Sequence, residues 1–209
     1  MNRRERLENI IAILKKEYGE SKVMLNYNTP FELLIAVILS AQCTDKRVNM
    51  VTKEMYKIVN TPEGFANMEV EEIEKLIKST GFYRNKAKNI KQCSIDIIEK
   101  YDGKVPMNMD DLINLAGVGR KTANVVMGDI TKEPEGIVVD THVKRLSNRI
   151  GFVKTNNPII IERELMKWVP KKYWFDYPNL LIRHGRAICK ARKAECNKCG
   201  INEYCKKNI

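Results

Sequence analysis

Apolar side chains recur at helical spacing along most of the chain, and this periodicity constrains the fold more than any other feature. Leu7, Ile10, Ile11 and Leu14 establish the pattern near the amino end. Similar patterns return in residues 44–59, 69–79, 84–100, 119–130 and 156–169. Segment 136–139 comes nearest to a strand, but it is too short to be one. The periodicity therefore predicts an all-α fold.

Helix-breaking residues separate these segments. They lie at 28–30, 61–64, 102–106, 133–136 and 157–158, and each group contains Pro or Gly beside polar residues. Such punctuation predicts about ten short helices. The most apolar run, residues 31–41, contains Glu32. It is far shorter than the roughly 20 residues that cross a bilayer, so it predicts a buried core helix.

The charge balance favours a polyanionic partner. The 209 residues include 37 Lys and Arg against 26 Asp and Glu, a formal net charge of +11. Nucleic acid is the leading candidate, although a basic protein without a specific partner has the same balance. The amino end, Met1 to Arg6, is charged and no apolar stretch of signal-peptide type follows it. We therefore expect an intracellular, cytoplasmic protein.

Four cysteines near the carboxyl end form a C-x6-C-x2-C-x5-C pattern: Cys189, Cys196, Cys199 and Cys205. Intracellular thiols are kept reduced, so metal binding is a better interpretation than disulfides. Thiolates suit either a zinc ion or an iron-sulfur cluster. The single C-x2-C pair and longer outer loops favour a cluster mildly. Cys43 and Cys93 stand apart from this group.

Basic residues surround these cysteines. Segment 183–208 contains eight Lys or Arg against two Glu. The cations either contact phosphate or offset the negative charge of a metal centre. The loop 190–194 is the best phosphate candidate, through Lys190, Arg192 and Lys193.

A helix-hairpin-helix pattern occupies residues 110–130. The hairpin segment 115–121 has the sequence LAGVGRK, between apolar stretches 110–115 and 120–130. Gly117 and Gly119 permit positive φ and close backbone approach, so amides at the start of the second helix can face a phosphate. A G-x-G before a helix is weak by itself and is also found in ordinary interhelical turns.

Lys121 falls in the first turn of the helix that follows this hairpin. The positive end of the helix dipole and the neighbouring Arg120 disfavour its protonated form. A neutral lysine amine is a nucleophile suited to Schiff-base chemistry with a sugar carbon. A solvated lysine touching phosphate is the plainer interpretation.

Asp140 begins the segment 140–146 and follows the apolar residues 137–139. It is predicted to cap the next helix. Near an apolar wall, its carboxylate could also stabilise the positive charge that develops when a glycosidic bond breaks. His142 and His184, the only two histidines, are interpreted as structural.

Together these motifs resemble the endonuclease III family of DNA repair enzymes. The resemblance rests on segments 115–126 and 139–142 and on the cysteine pattern, and it runs nearly the full length. Segments 39–45 (LSAQCTD) and 81–87 (GFYRNKA) are similar to that family's DNA-inserting loops.

The resemblance implies a helix-hairpin-helix DNA glycosylase fold with two helical domains and an active-site cleft between them. One domain would span residues 23–134 with the helix-hairpin-helix at 110–130. The other would combine residues 1–22 and 135–209, with the cluster loop at 189–205.

The resemblance also implies the chemistry. Lys121 would attack the sugar carbon of a damaged, oxidised pyrimidine nucleotide, release the base and cleave the strand by β-elimination, with Asp140 supplying the carboxylate. The four cysteines would hold a 4Fe-4S cluster. In duplex DNA with damaged bases or abasic sites, Gln42 would fill the vacated space and Phe82 would act as a wedge. A monomer acting on nucleoid DNA is expected.

The sequence departs from the family's pattern at two positions. Phe82 stands where the family often has Leu, which changes the shape of the wedge. Ala116 stands where Pro is common, which loosens the hairpin while its glycines remain.

Three alternatives stay open at this point. An adenine- or mismatch-type glycosylase would share the fold, but relatives of that kind often lack the lysine nucleophile. A non-catalytic iron-sulfur protein could bind DNA through the same hairpin. A zinc-binding nucleic-acid module would use the same cysteines.

Overall fold

The computed structural model describes residues 1–208, and helices are its only regular secondary structure. An isolated bridge between Cys189 and Ala194 is the one β-type pairing found in those residues. The all-α prediction is therefore confirmed. The α-helices are α1 (Arg3–Tyr18), α2 (Pro30–Ser40), α3 (Asp45–Met55), α4 (Pro62–Asn67), α5 (Val70–Ile77), α6 (Tyr83–Tyr101), α7 (Met109–Leu112), α8 (Arg120–Thr131), α9 (Thr141–Ile150), α10 (Pro158–Met166) and α11 (Asp176–Ala187). Single 3-10 turns occupy Lys78–Thr80, Lys171–Tyr173, Cys196–Lys198 and Asn202–Tyr204.

Several of the predicted breaks are helix starts with a common design. Pro30, Pro62 and Pro158 each occupy the first helical position, where the missing N–H is not needed. The residue before each proline accepts a backbone hydrogen bond through its side chain: Thr29, Thr61 and Asn157. A proline that looks like a helix breaker in the sequence is thus a helix initiator here.

The chain divides into two compact units. One comprises Met1–Val23 and Lys132–Ile209, and the other Met24–Thr131. We call them the terminal unit and the central unit.

The central unit is built around α2. All its residues from Phe31 to Leu39 are buried, and it packs against α3, α6 and α8. The predicted core helix at residues 31–41 is therefore confirmed. Glu32 is buried as well, at 1% exposure. Its carboxylate accepts hydrogen bonds from the Asn28 backbone N–H at 2.6 Å and from the Asn60 side-chain amide at 3.2 Å. These bonds explain how a charged residue is tolerated inside an apolar helix.

The terminal unit packs α1 and α9 against α11. The apolar stripe predicted on α1 is fully buried and joins one hydrophobic cluster with α9 and α11. Tyr177 is completely buried in that cluster, and its hydroxyl pairs with Ser147 at 2.8 Å. In residues 1–208, no helix is long and apolar enough to span a membrane.

Candidate functional site

The hairpin between α7 and α8 requires glycine at one position. Gly117 has φ +78°, in the region that favours glycine. A Cβ there would also lie 2.9 Å from the Cβ of Asn89 on α6. Gly119 has no positive φ, and a Cβ built on it would meet nothing within 4 Å. Space beside Gly119 is therefore open in the protein, as a close backbone approach to a ligand requires.

Val118 is buried, unlike the two glycines on either side of it. Its side chain is buried at 5% exposure, and its N–H donates to the Leu115 carbonyl at 3.1 Å. That amide is already paired within the hairpin. Gly119 and Arg120 are exposed at the amino end of α8, where helix amides favour an anion.

Lys121 lies in the first turn of α8 and is exposed. The opposite side of this helix buries Ala123, Val126 and Met127, and α8 packs against α2. The core-facing side fixes the direction of the helix, so Lys121 is presented to solvent next to the hairpin. Its predicted position in the first turn is confirmed.

Gln42 and Phe82 share an uncommon backbone conformation. Gln42 has φ +54° and Phe82 has φ +47°, both left-handed. For a residue with a side chain this conformation costs roughly 1–2 kcal/mol, and such residues often occur at functional sites. Gln42 is exposed in loop 41–44, and Phe82, in loop 81–82, has 64% of its surface exposed. A large apolar side chain held outward is suited to contact with a ligand.

Asp140 caps α9, as predicted. Its Oδ1 accepts the Val143 backbone N–H at 2.8 Å. The side chain is half-buried, next to the fully buried Ile137 and the partly buried Val139 of the apolar cluster. A carboxylate in this position keeps its second oxygen for another interaction.

The four carboxyl-terminal cysteines line a common cavity in the terminal unit. About 410 Å³ of empty space, part of it open to solvent, lies between them and apolar walls that include Leu146, Ile150, Ile188 and Ile201. All four cysteines are half-buried free thiols. In residues 1–208, no group of three or more His, Cys, Asp or Glu is arranged to hold a metal ion.

Hydrogen-bond donors point at the cysteine sulfurs. Arg149 Nη1 lies 3.4 Å from the Cys189 sulfur, and the Lys207 N–H lies 3.3 Å from that of Cys205. Burial raises the pKa of the Cys199 thiol to about 11 and raises that of Cys205. Burial thus disfavours a free thiolate at both positions, so a bound cation or cluster would be needed to keep them deprotonated.

Arg149 and His184 are site residues that the sequence analysis missed. Arg149 Nη1 and Nη2 donate to the carbonyls of Lys190 and Ala191 at 2.8 and 2.9 Å, which fixes the start of the loop 190–194. His184 is 1% exposed and lies 2.9 Å from the Tyr18 hydroxyl and 3.3 Å from the Cys199 sulfur. A structural role was expected for this histidine, but its contact with a cysteine of the cavity has no signal in local sequence.

The basic residues of the loop 190–194 differ in their surroundings. All three basic side chains, Lys190, Arg192 and Lys193, are exposed, but the Lys190 ammonium pairs with Glu195 at 2.8 Å. Lys190 first and Lys198 second lower the pKa of the Glu195 carboxyl, through hydrogen bonds and charge. Lys190 therefore already has an anionic partner within the protein, which makes it a weaker candidate for a phosphate contact.

Comparison with known proteins gives consistent matches. The model of the HhH-GPD superfamily of base excision DNA repair proteins matches residues 35–171. Endonuclease III of Synechocystis sp. is 48% identical over 204 residues, which cover 98% of this chain and 93% of that protein.

Two solved structures of endonuclease III with DNA, one non-covalent and one a trapped covalent intermediate, are similar to this chain. Each is 41% identical, with a TM-score of 0.89, and covers 99% of this chain and 97% of the matched chain.

Proposed function

Because the chain belongs to the endonuclease III family of the HhH-GPD superfamily, we propose that Lys121 and Asp140 carry its chemistry on damaged DNA. The family membership makes the chain a DNA glycosylase with abasic-site lyase activity in base excision repair. Its substrate is DNA, as in the complexes of its structural relatives. Oxidised pyrimidines in duplex DNA are the proposed lesions, on the family resemblance.

Lys121 is the proposed nucleophile. Its amine forms a bond to the sugar carbon that carries the damaged base, and the bond from that carbon to the base breaks. The bond from that carbon to the ring oxygen then breaks, the oxygen takes up a proton, and the ring opens to a protonated imine. This imine withdraws electrons from the adjacent carbon, so loss of a proton there forms a carbon–carbon double bond and expels the 3′ phosphate by β-elimination. The supporting observation is its position: exposed, in the first turn of α8, directly after a hairpin with open space beside Gly119.

Asp140 is the proposed carboxylate for base release. The positive charge that develops on the sugar as the glycosidic bond weakens is stabilised by a fixed negative charge. The Val143 N–H holds one oxygen of Asp140, which fixes the direction of the side chain before DNA binds. The same contact costs no reorganisation during the reaction.

Contacts with DNA are proposed for three groups of residues. Gly117, Val118, Gly119 and Arg120 form the hairpin that anchors phosphate. Gln42 and Phe82 fill and wedge the stack around an extruded nucleotide, which fits their exposure. Among the basic loop residues Lys190, Arg192 and Lys193, the exposed Arg192 and Lys193 are the stronger phosphate contacts.

A 4Fe-4S cluster is the proposed cofactor of the terminal unit. Cys189, Cys196, Cys199 and Cys205 fit it in donor chemistry, because all four are soft ligands around one cavity, and N–H donors are directed at the sulfurs of Cys189 and Cys205. When bound, the cluster links the segments of residues 189–205 into one rigid loop.

Borohydride trapping tests this proposal most directly. Wild type should form a covalent adduct with duplexes that contain an oxidised pyrimidine or an abasic site. Lys121→Gln should bind the same DNA but form no adduct and no β-elimination product, while the exposed Lys88→Gln serves as control. An adduct of normal yield in Lys121→Gln would show that another amine is the nucleophile. Base release without any adduct in wild type would favour a glycosylase of the mismatch type.

A further inference from the structure

The side chain of one buried lysine joins the two helix ends that lead into the loops with the proposed DNA-inserting residues. Lys86 lies in the first turn of α6 and is only 5% exposed. Its Nζ donates to the Leu39 carbonyl at 2.8 Å and to the Thr80 carbonyl at 2.9 Å. The two acceptors are 47 and 6 residues away in sequence. One side chain therefore joins two segments that are distant along the chain.

Both carbonyls lie at helix ends that lead into these loops. Leu39 is in the last turn of α2, which ends at Ser40 and leads into loop 41–44 with Gln42. Thr80 ends the 3-10 turn Lys78–Thr80, just before Gly81 and Phe82. Carbonyls at helix ends lack partners within the helix, so each needs a donor from elsewhere. Lys86 supplies that donor at both ends.

Lys86 also binds the backbone carbonyl of Phe82. Its backbone N–H donates to the Phe82 carbonyl at 3.2 Å. The side chain of Lys86 thus holds the carbonyl of Thr80, before Gly81, and its backbone N–H holds the carbonyl of Phe82, after Gly81. The left-handed backbone of Phe82 needs such restraint, because an unrestrained chain would leave that conformation.

We propose that Lys86 is a positioning residue that holds Gln42 and Phe82 at a fixed separation before DNA binds. This inference rests on the proposed roles of Gln42 and Phe82 in base extrusion. Insertion into a base stack requires both side chains at once, and ordering two loops only upon binding would oppose it entropically. Burying an amine costs free energy, and the partners that offset this cost at Lys86 are the two carbonyls that precede the loops, so the contacts that join the loops account for a charged residue in this buried position.

Amide hydrogen exchange tests the physical part of the proposal. Lys86→Met keeps the length and volume of the side chain but removes its N–H donors. Exchange should rise at residues 40–43 and 80–83 and stay unchanged in α8. Lys91→Met is the matched control, because Lys91 lies on the same helix and its Nζ donates to a carbonyl outside both loops, that of Met68, at 2.7 Å. Faster exchange across the whole central unit, or in neither loop, would overturn the proposal.

Excision rates test its functional part. Lys86→Met should slow release of a damaged base from duplex DNA by about tenfold, as loss of positioning commonly does. β-elimination at an abasic site in single-stranded DNA should change less than about twofold, since no stacked partner has to be displaced there. Lys91→Met should match wild type on both substrates. If Lys86→Met fails to fold, Lys86→Gln, which keeps N–H donors on a side chain one bond shorter, should show the same duplex-selective loss to a smaller extent.

Different results would contradict the positioning role of Lys86 and the insertion roles of Gln42 and Phe82. If Gln42→Ala and Phe82→Ala slow duplex excision while the folded Lys86 variants do not, the positioning role is wrong and the proposed function stands. An equal loss on duplex and single-stranded DNA in the Lys86 variants would likewise overturn the positioning role. If Gln42→Ala and Phe82→Ala both excise at the wild-type rate, the insertion roles themselves are wrong.

Discussion

At the scale of single residues, Asp140 combines a cap with a proposed catalytic carboxylate, and the two can be separated. Asn is as good an N-cap as Asp, so Asp140→Asn should keep the bond to the Val143 N–H and unfold within about 0.5 kcal/mol of wild type. Base release should fall sharply because the negative charge is gone. Reaction with preformed abasic sites, which need no glycosidic cleavage, should persist.

The matching variant is Asp140→Ala, which removes the cap as well as the charge. We expect it to be about 1 kcal/mol less stable than Asp140→Asn, with a similar loss of base release. Thermal unfolding and a base-release assay on the same preparations separate the two effects. Equal base release by wild type and Asp140→Asn would remove Asp140 from the chemistry.

Residue roles could be predicted from sequence only where they depend on near neighbours. The cap at Asp140 and the glycine at 117 follow from local backbone geometry. Lys86, Arg149 and His184 could not be predicted, because their partners lie 47, 41 and 15 residues away. A buried lysine or histidine has the same local sequence pattern whether its partner is present or absent.

At the scale of elements, the segment 189–205 depends on its proposed cluster. Serine in place of Cys189, Cys196, Cys199 or Cys205 should lower iron content and visible absorbance and destabilise this segment. Cys93→Ser is the control, although this change is expected to lower the stability of the core. This core thiol is 0% exposed, so serine would bury a hydroxyl among apolar side chains, and the variant should lose stability but keep its iron. Full iron retention in all four single variants would contradict the cluster assignment.

Arg149 is expected to stabilise the proposed cluster without being one of its ligands. It holds two carbonyls at the start of the loop 190–194 and lies against the Cys189 sulfur. Arg149→Gln should therefore lose iron to a chelator several times faster than wild type, since loosely held ligands exchange more readily. Arg192→Gln, an exposed change in the same loop, should lose iron at the wild-type rate. Identical rates in both variants would deny Arg149 this role.

Helix positions were more predictable than helix lengths. The starts at Thr29-Pro30 and Asn157-Pro158 follow from cap and proline chemistry. Residues 156–169 were predicted helical, whereas α10 ends at Met166. The first hairpin helix was expected over 110–115 but spans Met109–Leu112. Leu115 and Val169, beyond these ends, are buried outside any helix, and periodicity alone does not distinguish such a packed turn from a helix.

At the scale of the whole molecule, the net charge of +11 predicts salt-dependent DNA binding. Each phosphate contact removed should reduce the slope of log affinity against log salt by about 0.9. Lys193→Gln should show this change. Lys190→Gln should show less, because Glu195 already pairs with its ammonium. Gln42→Ala should leave the slope unaltered, and equal slopes for all three variants would contradict the assignment of the loop 190–194.

At Phe82, selection for stability and selection for DNA repair favour different residues, because its backbone is left-handed. Glycine there would relieve roughly 1–2 kcal/mol of backbone strain, against about 0.5–1 kcal/mol for its greater freedom in the unfolded chain. Little apolar burial would be lost, since the ring is 64% exposed. A library screened only for heat resistance should therefore enrich glycine at position 82. A library screened for survival under DNA damage should reject it. The residue found at position 82 therefore indicates whether selection acted on thermal stability or on DNA repair.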